Sequence, residues 1–237
     1  MNFFTEEDFA VNDQFDLDVT FIGGEMVTFI DNFYKYPDRV RAYVGAIPIK
    51  DQRLPDVQLR GSHGTEYLCG KDYYDGKFYV ERCRGPSSTE CRLYDTLAKL
   101  YDTELDETGS FLKWRAFNQF LSVKDHPPDK PYFWPHTDGG FNLLVFLNPH
   151  NHMGAGTTLY KKVSDKTRGQ EHVDSWWGTN DYEEIGTILD SYNTLCIFHG
   201  RIWHAMRIIN GVHTQHPRIT GINYFGDGSK ENLPSSS

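Results

Sequence analysis

The stretch "WPHTDGGFNLLVFLN", residues 134–148, puts an imidazole and a carboxylate two positions apart, then a glycine pair, then an unbroken apolar run. Side chains at i and i+2 of an extended chain point to the same face. His136 and Asp138 therefore converge if "HTD" is extended. Gly139 and Gly140 let the backbone bend and approach closely beside them. The run that follows reads as a buried strand, which sets the pair at the mouth of a sheet. An HxD pair alone is a weak motif, because both residue types are common on loops. One imidazole and one carboxylate are nevertheless two thirds of a facial metal triad, which a second histidine completes.

Downstream of that stretch the chain keeps one texture. "GTTLYKK", "NTLCIFHG", "HAMRII" and "RITGINYFG" follow one another, and "FLKWRAFNQFLSV" (111–123) precedes it. Gly, Pro, Asn and His clusters separate these short aromatic and β-branched runs, the pattern of a sandwich or barrel. The N-terminal half differs. Residues 18–30, "DVTFIGGEMVTFI", read as a β-hairpin turning at Gly23-Gly24. A short helix is predicted to open around Pro37-Asp38, with Val40, Tyr43 and Val44 on one face. Residues 51–86 show no clear period and read mostly as loop. Residues 87–102 form the best helix, capped by Ser or Thr and striped by Tyr94, Leu97, Leu100 and Tyr101. The expected organisation is one domain over 1–226, with hairpin and supporting helices in 1–110 and a β core in 111–226. The polar tail 227–237 is expected to be disordered.

Bulk properties narrow the function. With 33 acidic against 24 basic residues, the formal net charge is −9, which disfavours nucleic acid and anionic membrane as partners. No apolar run reaches the length of a membrane span, and "MNFFTEEDFAVND" lacks a signal peptide's basic start and apolar stretch, so a cytoplasmic location is expected. Cys69, Cys83, Cys91 and Cys196 form no CxxC pair and are expected to be reduced and mostly buried.

Several residues compete to be the third ligand. His204, just before an apolar strand, ranks first. His199, at the end of "TLCIF" beside Gly200, ranks second, and His213 and His216 lie in a polar loop. His126, His150, His152 and His172 read as solvated loop residues, since a histidine pair without a carboxylate is more often that than a metal site.

The order of HxD, apolar strand, "GAGTTLY", "NTLCIFHGRIWHAMRIINGV" and "PRITGINYF" resembles the iron(II)- and 2-oxoglutarate-dependent dioxygenases, most of all their prolyl-4-hydroxylase-like branch, including uncharacterised phage and bacterial members. The resemblance spans roughly 111–226; upstream only "FIDNFY" followed by a helix is similar. It implies a mainly β fold with flanking helices around a double-stranded β-helix core of the jelly-roll or cupin kind. It implies Fe(II) held by His136, Asp138 and His204, with 2-oxoglutarate as cosubstrate and O2 as oxidant. Arg218 stands 14 residues after His204, where the family has the basic residue that pairs with the remote carboxylate of 2-oxoglutarate. Thr220, at i+2, shares its face. A guanidinium can grip a carboxylate with two parallel hydrogen bonds; Arg207, three residues after His204, has the wrong strand parity. The implied activity is hydroxylation of an unactivated C–H bond in a peptidyl residue such as proline, or in a small metabolite, releasing succinate and CO2. Asp138 argues for hydroxylation over halogenation, because halogenating members usually carry a small residue there. The alternatives are a nucleobase oxidative demethylase on the same fold and a non-catalytic metal- or ligand-binding β-barrel.

Substrate contacts are less legible. The polar segment 161–187, with Trp176 and Trp177 at its centre, reads either as a lid or as a loop pinned by tryptophan. Tyr132 and Trp134 wall the pocket or join the core. Arg115, Phe117 and Gln119 alternate on one face of a strand and Asn118 lies on the other, and pattern alone does not choose the face that meets a cosubstrate.

Overall fold

The computed structural model describes residues 4–46, 49–51, 59–62, 71–74, 77–81, 86–103, 114–122, 135–149, 154–163 and 181–225. Thirteen strands run in chain order: β1 (Asp18–Ile22), β2 (Glu25–Ile30), β3 (Ile49–Asp51), β4 (Leu59–Ser62), β5 (Lys71–Tyr74), β6 (Lys77–Glu81), β7 (Trp114–Ser122), β8 (Phe141–Phe146), β9 (Gly156–Lys162), β10 (Tyr182–Leu189), β11 (Leu195–His199), β12 (Trp203–Arg207) and β13 (Arg218–Phe225). A 3-10 turn covers Glu6–Phe9, and two helices, α1 (Pro37–Gly45) and α2 (Ser88–Leu100), complete the described elements.

The large sheet runs β1-β2-β11-β8-β13-β7-β4-β3, with β6 also on β7 and β5 on β6; the small sheet runs β10-β9-β12. Every pairing is antiparallel. From β7 onward the chain passes between the sheets, and the resulting order β7-β13-β8-β11 facing β12-β9-β10 is that of a double-stranded β-helix. The fold is thus mainly β with flanking helices, as expected.

Strand β8 shows why "FNLLVF" is apolar throughout: all six residues are buried. Leu143 and Val145 join a cluster with Val40, Val44, Leu93 and Leu97 of the helices, whereas Leu144 and Phe146 join Leu159, Ile188, Phe198 and Ile222 between the sheets. A strand covered on both faces needs no polar alternation. On β13 the same parity puts Ile219 toward the helices and Ile222 between the sheets, so Arg218 and Thr220 face inward with Ile222.

The N-terminal elements follow their local signals. Ile22 pairs with Glu25 across a two-residue turn, where Gly23 (φ 59°) and Gly24 (φ 88°) adopt the left-handed conformation that such a turn demands. Pro37 opens α1, and Val40, Tyr43 and Val44 are its buried residues. Ser87 caps α2 through a reciprocal box: its hydroxyl accepts from the Glu90 N–H, and the Glu90 carboxylate accepts from the Ser87 N–H. Leu93 and Leu97 of α2 are fully buried. At about 1.5–3 kcal/mol per buried side chain, against about 1 kcal/mol for a cap, that docking face dominates the helix's stability.

Four expectations need correction. The segment 161–187, read as one long loop, carries the end of β9 (through Lys162) and most of β10 (from Tyr182), which pair with each other. Residues 51–86, read as mostly loop, contain β4, β5 and β6 and the end of β3. These strands sit at the margin of the large sheet, where backbone pairing suffices and no apolar period is required. Asp75-Gly76, between β5 and β6, is the hairpin signal in that segment. In α2 the stripe shifts: Leu100 is exposed, and Leu93 takes the expected inward place. Of the cysteines, Cys196 is buried but Cys91 is exposed; Cys69 and Cys83 lie outside the described residues, as does the 227–237 tail. Among the described residues no helix is long and apolar enough to cross a membrane.

Candidate metal centre and the interior behind it

His136 extends the small sheet by one bridge. Its N–H donates to the His204 carbonyl and the His204 N–H donates back, both at 3.0 Å. Directly opposed residues share a face, and the two imidazole rings stand 4.4 Å apart. Asp138 is set by the turn between β11 and β12. Its N–H donates to the Gly200 carbonyl at 2.8 Å, and the Gly200 N–H donates to the Gly140 carbonyl at 2.8 Å. Any side chain at Gly200 would intrude there: a Cβ would lie 2.6 Å from the Asp138 carbonyl oxygen.

The ligating atoms of His136, Asp138 and His204 all lie within 4.8 Å of one another, and the three could hold a metal ion. His204 is primed for it. Its Nδ1 meets the Ile202 carbonyl oxygen at 2.8 Å, and a carbonyl can only accept, so Nδ1 carries the hydrogen. In the neutral ring Nε2 is then a lone pair, the arrangement that backbone carbonyls impose on metal-binding histidines. That Nε2 faces Asp138 Oδ2 at 3.2 Å, and His136 Nε2 lies 3.7 Å from the same oxygen. Two imidazole nitrogens and a carboxylate oxygen this close together form a donor set that suits a divalent metal of the iron class. His204 is buried, while His136 and Asp138 keep 31% and 23% of their side chains exposed, so the cluster opens to solvent on one side.

The rival histidines do not join it. His199 lies on the helix-facing parity of β11, its ring 4.6 Å from that of Phe141, and its Nδ1 accepts from the Arg201 N–H. Burial, reinforced by the Arg201 charge, pushes the His199 pKa down to about 4. His213 Nδ1 accepts from the Ile209 N–H at 2.8 Å, which engages it in its own loop. Arg207 turns to Thr187 and Glu184 on the outer face of the small sheet.

Arg218 enters the interior from the start of β13. It is 3% exposed, its Nη2 donates to the Gly156 carbonyl and to Thr157 Oγ1 at 3.4 Å each, and its guanidinium carbon lies 5.9 Å from the centre of the Phe146 ring. Thr220 pairs with Asn118 on one side and Phe146 on the other. Because Phe117 belongs to the helix-side core, Asn118 rather than Gln119 faces inward, which resolves the choice that pattern left open.

Two further residues belong to this interior and carried no sequence motif. Asn142 is 1% exposed and its Nδ2 lies 3.3 Å from His204 Nε2; its one signal is a polar residue on the Leu144–Phe146 parity of an apolar run. Asp190, just past β10, is 4% exposed, and burial, opposed by the Arg218 charge, raises its pKa to about 6. Thr220 Oγ1, Asn118 Oδ1, Asn142 Oδ1 and both Asp190 oxygens are buried without a hydrogen-bond partner among the described residues. Native interiors leave few such atoms, and a polar ligand would give them partners. Tyr132, Trp134, Trp176, Trp177, His126, His150, His152 and His172 lie outside the described residues, and nothing of the Arg115 side chain is described.

No protein-family model and no curated protein matches the sequence. Among solved structures the chain is similar to a prolyl-4-hydroxylase from Pseudomonas putida, at 12% identity over 85% of this chain and 92% of that one, with a TM-score of 0.39. It is similar to a prolyl hydroxylase from Trichoplax adhaerens in complex with a hypoxia inducible factor peptide fragment, at 12% identity over 89% and 87%, with a TM-score of 0.41. A third is HygX from Streptomyces hygroscopicus with nickel and 2-oxoglutarate bound, at 12% identity over 85% and 82%, with a TM-score of 0.39. Its structural neighbours are thus prolyl hydroxylases and a protein that holds 2-oxoglutarate, while the reading of function rests on the site's own atoms.

Proposed function

We propose that this chain is an iron(II)- and 2-oxoglutarate-dependent oxygenase that hydroxylates an unactivated C–H bond, in a peptidyl residue such as proline or in a small metabolite. The observation that carries the reading is the convergence of His136, Asp138 and His204 within 4.8 Å at the open end of an interior that holds a buried arginine. Three protein ligands on one side leave room for cosubstrate and O2. When bound, Fe(II) and O2 supply the oxidising power, and 2-oxoglutarate leaves as succinate and CO2.

The chain's own residues divide the remaining work. His136, Asp138 and His204 hold the metal. The Ile202 carbonyl fixes the His204 tautomer. Arg218 pairs with the distal carboxylate of 2-oxoglutarate, with Thr220 Oγ1 as a second contact. The apolar wall of Leu144, Phe146, Leu159 and Ile222 keeps water out, and a charge-assisted pair is stronger in such surroundings than in water.

The test is an anaerobic titration of metal-free protein with Fe(II) and then 2-oxoglutarate, read by the visible metal-to-ligand charge-transfer band. The band should form in the native protein and vanish in His136→Ala, which should also lack turnover. Iron binding without the band refutes the cosubstrate and leaves a metal centre of another kind.

A further inference from the structure

Asn142 and a metal would compete for one lone pair. Asn142 is 1% exposed, and its Nδ2 lies 3.3 Å from His204 Nε2. His204 Nδ1 gives its hydrogen to the Ile202 carbonyl, so in the neutral ring Nε2 can only accept. The amide nitrogen of Asn142, not its oxygen, must therefore face the ring. The same Nε2 faces Asp138 Oδ2 at 3.2 Å and is the atom that His204 offers to a metal. Coordination takes the lone pair, and Asn142 then loses its acceptor.

The freed amide is poorly provided for. Its Oδ1 is already buried without a partner among the described residues. Opposite it on β11 stands Phe198, whose ring packs edge-on against that of His204 at 5.0 Å. On its own strand Leu144 and Phe146 share its face in the apolar cluster. None of these side chains accepts a hydrogen bond, and a buried donor left unmade carries its full desolvation penalty. The acceptors within reach are Asp138, which the metal itself engages, and a ligand that shares the metal with His204.

We propose that Asn142 is a switchable donor: its amide N–H caps His204 Nε2 while the metal is absent, and passes to the carboxylate beside the keto group of a 2-oxo acid when metal and cosubstrate are bound. The inference rests on the oxygenase reading above, because that reading supplies the 2-oxo acid. A metal lies about 2 Å from a ligating imidazole nitrogen, so a donor 3.3 Å from that nitrogen borders the metal's other ligands. Water on a dication is polarised toward donating, whereas a carboxylate only accepts. The amide therefore gains most from the cosubstrate, through a hydrogen bond to a charged group. No covalent bond is made or broken in the exchange. Arg218 and Asn142 thus divide the cosubstrate: one reads the distal carboxylate, the other the end that every 2-oxo acid shares.

The experiment compares the native chain with Asn142→Leu. Mn(II) is titrated into metal-free protein, and then 2-oxoglutarate or the monocarboxylate 2-oxopentanoate into the Mn(II)-loaded protein. Mn(II) should bind the variant at least as tightly as the native chain, because it no longer displaces a hydrogen bond. Both 2-oxo acids should bind at least about tenfold more weakly, by the same factor. Arg218→Ala should instead weaken 2-oxoglutarate alone. If the leucine variant does not fold, Asn142→Asp, which has the same shape and no amide donor, must show the same loss for both acids. Unchanged affinity for both acids, or a loss confined to 2-oxoglutarate, overturns the role of Asn142. So does weaker Mn(II) binding in Asn142→Leu with both acids unaffected, which would make Asn142 a support for the metal ligands. Those results leave the oxygenase reading intact. No binding of either acid to the native chain overturns both.

Discussion

Gly200→Ala is the substitution that best separates the local geometry of the candidate metal centre from its chemistry, because it removes no ligand. The added Cβ would sit 2.6 Å from the Asp138 carbonyl oxygen, 2.9 Å from the Asp138 carbonyl carbon and 3.0 Å from the Gly140 carbonyl oxygen. All three are backbone atoms, so no side chain can swing aside. Restoring ordinary contact of about 3.5 Å needs a displacement approaching 1 Å between the β11–β12 turn and the segment that carries Asp138. Two backbone hydrogen bonds join those segments, Asp138 N–H to Gly200 and Gly200 N–H to Gly140. Stretching both costs about 1–3 kcal/mol at roughly 0.5–1.5 kcal/mol each. The larger effect should be at the site. A shift of about 1 Å in a positioned group can cost about 100-fold in rate, and metal affinity should fall by at least tenfold as Asp138 leaves the histidines. The assay is a competition titration of Mn(II) or Fe(II) against a chelator, with urea unfolding of the same samples. Gly45→Ala, at a helix position where a Cβ meets nothing within 4 Å, is the matched control; it should keep metal affinity and gain about 0.5–1 kcal/mol of stability. If Gly200→Ala bound metal as tightly as the native chain, the Asp138 carboxylate would not be held by this turn and the geometric argument would fail.

Arg218→Ala should weaken 2-oxoglutarate by about 2–5 kcal/mol, since it truncates one partner of a buried charge pair, while metal binding stays within about twofold; unchanged cosubstrate affinity in equilibrium titration would remove Arg218 as the anchor. Asp190 should leave a trace in stability. Its pKa is raised from 3.8 to about 6 on folding, so the stability tied to its neutral form is complete below about pH 4 and lost as pH rises through 6. Two pKa units correspond to about 3 kcal/mol. Urea denaturation should show the native chain losing that much relative to Asp190→Asn between pH 4 and 7, and parallel curves would contradict it. Ser87→Ala should cost about 1 kcal/mol by opening the α2 capping box, measured as a lowered urea midpoint at unchanged slope.

Some of the structure was legible in the chain because strand side chains repeat every two residues. His136 and Asp138 at i and i+2, and Arg218 and Thr220 at i and i+2, could be given a common face before any tertiary contact was known. The turn at Gly23-Gly24 and the Ser or Thr cap of the second helix are equally local, since the atoms that satisfy them lie within a few residues. Period also explains the main miss. The short strands between 51 and 86 pair through backbone at a sheet margin, and backbone pairing writes no apolar rhythm.

Closure of the two sheets decided the rest. His204 and His199 both flank the β11–β12 turn, and sequence could only rank them. Register puts His204 opposite His136 and turns His199 toward Phe141 and the helices. Asn118 and Gln119 were likewise indistinguishable until Phe117 was seen in the helix-side core. Asn142 and Asp190 carry no motif at all, because their meaning comes from what lies across the interior: a ring nitrogen of His204 in one case, the charge of Arg218 in the other. By itself the sequence determined the periodic faces, the turns and the caps, which depend on atoms a few residues apart. Which of those faces meet, and so which buried polar groups must share a space without water, depends on contacts between residues far apart in the chain, and only the tertiary structure could decide it.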